Sequence, residues 1–177
     1  MARQQWAVGG GVLLGLLGLA MAGRADEAAA VKMVEELGGR VTVDAKRPGK
    51  PVVGVFFYRS KVTDAGLKEL KELKSLRSLD LTQTKVTDAG LKELKDLKSL
   101  KDLDLRLTPV TDAGLKELKE LKSLQTLNLN YTQVTDAGLK EVKELNSLKK
   151  LFLRGTKVTD AGVKELQAAR PELQVFR

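Results

Sequence analysis

The chain has 177 residues, 42% of them hydrophobic and 31% charged, with a formal net charge of +8. That is enough apolar material for one ordinary core, and the positive balance is large enough to bring anionic partners into consideration. There is neither cysteine nor histidine, which excludes disulfides, thiol catalysis, zinc sites of the usual kind and a Ser-His-Asp triad.

Residues 1–22 carry Arg3, an apolar run from Trp6 to Met21, and Ala20-Met21-Ala22 ahead of Gly23. This order predicts a secretory signal peptide with a small-residue cleavage site. The alternative is an uncleaved anchor, against which stands a run shorter than the ~20 residues of a spanning helix. In either case the remainder is expected to be exported, to the periplasm, the cell envelope or the medium. From Asp26 to Leu37, Val31, Val34 and Leu37 recur at three-residue spacing behind two leading acids, which predicts a short amphipathic helix stopped by Gly38-Gly39. Val41-Thr42-Val43 alternates like a brief strand before Pro48-Gly49-Lys50-Pro51 breaks the chain. Residues 23–51 are thus expected to form an N-terminal cap.

From Val52 the chain repeats. Val62, Val86, Val110, Val134 and Val158 stand 24 apart, and the same template places Leu76, Leu79, Leu81 and Thr84 in register with their counterparts in every copy. Between Leu79 and Leu81 the period is two, the mark of a strand with one face buried, whereas from Gly90 to Leu97 apolar residues fall at every third position, the mark of a short helix. Each unit is read as a strand, a turn and a helix of about two turns. A strict internal period of this length means a stack of units that cannot bury their apolar faces singly. The array runs over 52–170. Residues 171–177, with Leu173 and Val175, are expected to close it as a C-terminal capping strand.

Within each unit Thr87-Asp88 and its copies precede the helix. The hydroxyl is expected to cap its first amides and the carboxylate to meet the positive end of its dipole. Gly90 and its copies let neighbouring coils approach. Thr84, Thr108, Thr132 and Thr156 lie between apolar positions, and their hydroxyls are expected to bond backbone groups of adjacent coils.

The pattern Leu-x-x-Leu-x-Leu-x-x-Thr-x-Val-Thr-Asp-Ala-Gly-Leu resembles the bacterial leucine-rich repeat family in its 24-residue class, with Thr or Ser60 where that family more often has asparagine or cysteine in the turn. The resemblance implies an α/β leucine-rich-repeat solenoid, right-handed and curved, with a parallel sheet on the concave face and short helices on the convex face. It also implies a binding role, chiefly for proteins, on the concave side.

Surface positions separate into two kinds. The helix side repeats Lys-Glu-Leu-Lys with mixed signs, a solvated face that offers no basic groove for nucleic acid. The outward strand positions differ from copy to copy. One column holds Phe56, Asp80, Asp104, Asn128 and Phe152, a second Tyr58, Thr82, Arg106, Asn130 and Arg154, a third Gly54, Ser78, Asp102, Thr126 and Lys150, and a fourth Arg59, Gln83, Leu107, Tyr131 and Gly155. Candidate binding residues are Phe56, Tyr58, Asp80, Asp102, Asp104, Arg106, Asn128, Asn130, Tyr131, Phe152 and Arg154, since aromatics and arginines anchor partners. Adjacent strands are ~4.8 Å apart, so Asp80, Asp102 and Asp104 form a patch that repels itself unless a cation shares it. Arg106 is the simpler counterion and a weak calcium site the alternative. No catalytic group, cofactor or resident metal is expected. The expected partner is a protein, with a glycan or other polyanion as the alternative, and the membrane enters only through an uncleaved leader. Whether the cap covers Phe56 and Tyr58, and the last strand Phe152, is left open by the sequence.

Overall fold

A computed structural model describes residues 25–177, so the proposed leader at 1–22 lies outside the described residues. Helix α1 (Ala25–Glu36) opens the fold and buries Ala30, Val31 and Val34. It ends where Gly38 takes φ +83°, a left-handed turn that glycine adopts without strain. Strand β1 (Arg40–Val43) follows and pairs antiparallel with β2 (Val52–Phe56). The buried Glu27 carboxylate accepts the Val52 amide at 2.8 Å, fastening α1 to the first coil.

The expected strand register holds throughout. Strands β3 (Ser78–Asp80), β4 (Asp102–Asp104), β5 (Thr126–Asn128), β6 (Lys150–Phe152) and β7 (Gln174–Phe176) join β2 in parallel, each residue paired with the one a repeat later. The sheet order is β1-β2-β3-β4-β5-β6-β7. The sheet lines the concave face of the solenoid and the helices its convex face, as the repeat pattern implies. Between them, Leu76, Leu79, Leu81, Val86, Leu91, Leu94 and Leu97 are each at most 1% exposed, and their counterparts stack behind them into one continuous core.

The helical segments differ from the two-turn helix expected. In three coils a single α-turn, α2 (Asp64–Leu67), α3 (Asp88–Leu91) or α4 (Asp112–Leu115), passes into a 3₁₀ segment, at Lys68–Glu72, Lys92–Asp96 and Lys116–Glu120. The spacing explains this. Leucines at every third position, such as Leu91, Leu94 and Leu97, line up on one face at three residues per turn, where an α-helix would carry them round its axis. Among the repeat coils described, α5 (Asp136–Val142) and α6 (Asp160–Ala169) run longer.

The threonine-acid pairs do more than cap. Asp64 accepts both the amide and the hydroxyl of Thr87, each at 2.7 Å, and Asp88, Asp112 and Asp136 serve Thr111, Thr135 and Thr159 in the same way. Each oriented hydroxyl then accepts a helix amide, from Ala89, Ala113, Ala137 or Gly162. Thr63 makes no such cap, since no earlier coil supplies it a carboxylate. At the other end Arg177 donates to Asp160, which has no later threonine. The glycines make room for these carboxylates: a Cβ on Gly90 would sit 2.4 Å from Asp64 Oδ1.

One expectation is corrected. The hydroxyls of Thr84, Thr108 and Thr132, which are buried, and of Thr156, which is half-buried, donate within their own coil, to the carbonyls of Leu81, Leu105, Leu129 and Leu153, at 2.7–2.8 Å. The inter-strand ladder consumes the flanking carbonyls, with Asp80 O accepting from Phe57 and Thr82 O from Arg59, and leaves the leucine carbonyl in the turn to the hydroxyl.

Candidate binding face

The strands place the predicted residues side by side on the sheet face, and the structure divides them by what they touch. Asp80 Oδ1 accepts the Thr82 amide at 2.8 Å, Asp104 Oδ1 the Arg106 amide at 3.0 Å, and Asn128 Oδ1 the Asn130 amide at 3.1 Å. These three side chains therefore close the turns after β3, β4 and β5, a local role for short acceptors. Asn130 Oδ1 in turn accepts the Arg154 amide at 2.7 Å, tying two coils together.

Arg106 is the counterion expected in the acidic patch, its Nε 2.9 Å from Asp104 Oδ2. Asn128 Nδ2 adds a contact to the same oxygen at 3.4 Å. Asp102 is exposed and makes no ion pair among the described residues. Among the described residues no group of three or more acids is gathered so as to hold a metal ion. The patch instead borders a shallow hollow of about 200 Å³ lined by Phe56, Ser78, Leu79, Asp80, Asp102, Leu103, Asp104 and Thr126.

The aromatics remain accessible at the N-terminal end. Phe56 is 36% and Tyr58 55% exposed, so pairing of Arg40 opposite Phe56 leaves both rings in reach of solvent. At the C-terminal end Phe152 stacks on Phe176, with centroids 4.6 Å apart and planes 12° from parallel. Tyr131 is 47% exposed. Its ring rests against Gly155, where a Cβ would meet Cδ1 at 2.4 Å, and the Arg154 guanidinium lies 5.9 Å from its centroid. Arg59 sits similarly over Tyr58 at 5.6 Å.

Two features escaped the reading of the sequence. Thr82, in an outward column, is 4% exposed, with its hydroxyl unpartnered among the described residues. The whole fourth column adopts left-handed backbone, with φ between 56° and 59° at Arg59, Gln83, Leu107 and Tyr131 and 68° at Gly155. Gly155 was the available signal, since glycine in one copy marks the conformation that the others share. Leu107, absent from the candidate residues, is 50% exposed there.

A family described as Leucine Rich repeat matches residues 72–95, 96–119 and 120–142, three consecutive units in phase with the strands and helices. These three units are leucine-rich repeats. The same parallel strand register continues beyond the match, in the coils built on β2 and β6. A sequence comparison with curated proteins gives no match. Among solved structures, a leucine-rich-repeat protein of Leptospira interrogans shares 25% identity at TM-score 0.49, covering 62% of this chain and 27% of that one. An internalin of Listeria monocytogenes shares 22% at TM-score 0.47, covering 67% and 39%. The chain thus spans well under half the length of either protein.

Proposed function

We propose that this leucine-rich-repeat chain is an exported binding module that recognises a protein through its concave sheet. The observation that carries the reading is the contrast between a scaffold that repeats residue for residue and a sheet face on which no two coils present the same side chains, with Tyr58, Tyr131, Arg106 and Arg154 exposed among them. Exposed aromatics and arginines on rigid elements are the usual anchors of a protein partner. Export is supported by the charged start, apolar run and Ala20-Met21-Ala22 of the leader. The leucine-rich-repeat family as a whole points to binding in preference to catalysis, and the chain has no histidine or cysteine for a Ser-His or Cys-His pair.

The test is capture of partners from the exported fraction by the wild-type chain and by a Tyr131→Ala, Phe152→Ala, Arg154→Ala variant. A partner held by the wild type and lost by the variant supports the reading. Equal capture by both moves the site off the concave sheet.

A further inference from the structure

Each turn that follows a strand holds one left-handed residue, and these residues form a ladder. The amides of Arg59, Gln83, Leu107 and Tyr131 donate to Thr82, Arg106, Asn130 and Arg154 of the next coil at 2.7–3.1 Å, so their side chains stand one per coil along the rim of the sheet. Gly155 shows what this turn accepts without strain, and a bulky residue at positive φ is an outlier. Leu107 and Tyr131 are half exposed. Neither the turn nor the core therefore accounts for a leucine and a tyrosine at these two neighbouring rungs.

The charges beside them are arranged about that apolar middle. Arg59 and Lys85 lie on the coils before it and Arg154 and Lys157 on the coils after it, and none of the four forms an ion pair among the described residues. Of the nearby carboxylates, Asp160 is paired with Arg177 and Asp104 with Arg106, while Asp88, Asp112 and Asp136 keep their charge and are held by the next coil's threonines, in no ion pair with these four cations among the described residues. The rim thus presents an apolar pair flanked by cations that stand outside any ion pair among the described residues.

We propose that this rim is a docking strip for an extended acidic protein segment that places one apolar side chain on Leu107 and Tyr131 and carboxylates to either side, toward Lys85 and toward Arg154 and Lys157. The proposal rests on the concave-face reading above and names the partner's chemistry. From the Lys85 rung to the Lys157 rung is three coil spacings, on the order of 14 Å, so an extended strand at ~3.3 Å per residue sets its two carboxylates about four residues apart around the apolar residue. Burial of the apolar pair supplies affinity and the flanking cations supply orientation and salt dependence.

The experiment selects short random peptides displayed on phage against the immobilised full chain, then measures the selected peptides by fluorescence anisotropy on the wild type, Leu107→Gly, Tyr131→Gly, and a Lys85→Glu, Lys157→Glu variant. The expected peptides carry an apolar residue between acids, weaken with added salt, and lose roughly tenfold or more in affinity on each variant. Glycine suits the left-handed turn, so Leu107→Gly is expected to melt within a few degrees of the wild type, and the charge variant leaves the rim's backbone untouched; loss of binding is thereby separated from loss of fold. Acidic peptides that bind all variants equally overturn the proposal. Basic peptides lost on Asp80→Asn place docking in the hollow, which overturns the proposal and leaves the concave-face reading standing. An absence of any peptide sensitive to a sheet-face or rim substitution overturns both.

Discussion

Gly114 lacks a side chain because the Asp88 carboxylate fills the place: a Cβ there would lie 2.4 Å from Asp88 Oδ1 and 2.9 Å from Leu91 Cδ1. Within a helix, glycine to alanine ordinarily gains about 1 kcal/mol from propensity. Here the sign reverses. Alanine displaces a carboxylate that accepts two hydrogen bonds from Thr111, each charge-assisted and worth about 1.5–3 kcal/mol. Gly114→Ala is expected to lower stability by about 2–4 kcal/mol, read from the urea midpoint at unchanged slope. Much at this scale was legible in one chain, because five aligned copies distinguish invariant scaffold from variable surface. That a glycine meant close approach could be read; that a carboxylate was the approaching group could not, since spacing names a position and not its neighbour. Leu107 shows the opposite difficulty, for a leucine gives no sign of the positive φ that Gly155 declares.

The last acid-threonine joint and two ion pairs near the C-terminal end give the elements a pH dependence. The Asp136 carboxyl is held below its ordinary value first by the hydroxyl of Thr159, then by its amide, with Arg177 adding to the same direction. Glu165 is lowered by hydrogen bonding and charge attraction from Lys143, 2.6 Å away, and Glu172 by Arg170. A carboxyl with a depressed folded pKa binds fewer protons than its unfolded counterpart, so its contribution is whole above the ordinary carboxyl range and is lost as pH falls through the folded value. Thermal melts are expected to be flat near neutrality and to fall below about pH 4. Asp136→Asn is expected to reduce that acid sensitivity, and a variant that melts with the wild-type pH profile would remove Asp136 from the account. At this scale the sequence was partly legible. Strand positions followed from alternation, whereas three-residue spacing was compatible with either helix type until the leucines were seen to need one face. The turn threonines were placed correctly, and their acceptor was misjudged because sequence cannot show which carbonyls the ladder leaves over.

As a whole the molecule is a one-dimensional stack whose coils touch mainly their neighbours, so its ends decide how it unravels. At the C-terminal end the buried Arg170 guanidinium donates to the carbonyls of Lys143, Leu145, Asn146 and Leu148 at 3.1–3.3 Å, and its Nε to Glu172. Removing it strands these acceptors under α6. Arg170→Ala is expected to cost about 2–4 kcal/mol. Hydrogen exchange should locate the damage, with protection lost first in β6, α6 and β7 and retained in the coils built on β3 and β4; uniform loss would mean that the stack unfolds as a single unit. The order of strands was legible from the 24-residue period. Arg170 as the plug was not, because it occupies the repeat position of Lys74, Lys98 and Lys122, where a cation looks like ordinary solvated surface.

The acid-threonine ladder also has a direction. Each coil offers a carboxylate to the one after it and receives its own helix cap from the one before, so every internal coil carries one half of two joints. A duplicated or deleted unit of 24 residues leaves every joint complete, because the new neighbours bring the same halves to the meeting. Chain length is therefore the variable that this architecture can change by recombination alone, with no new packing problem to solve, while the first coil, whose Thr63 lacks such a partner, and the last, whose Asp160 is met by Arg177, stay where they are.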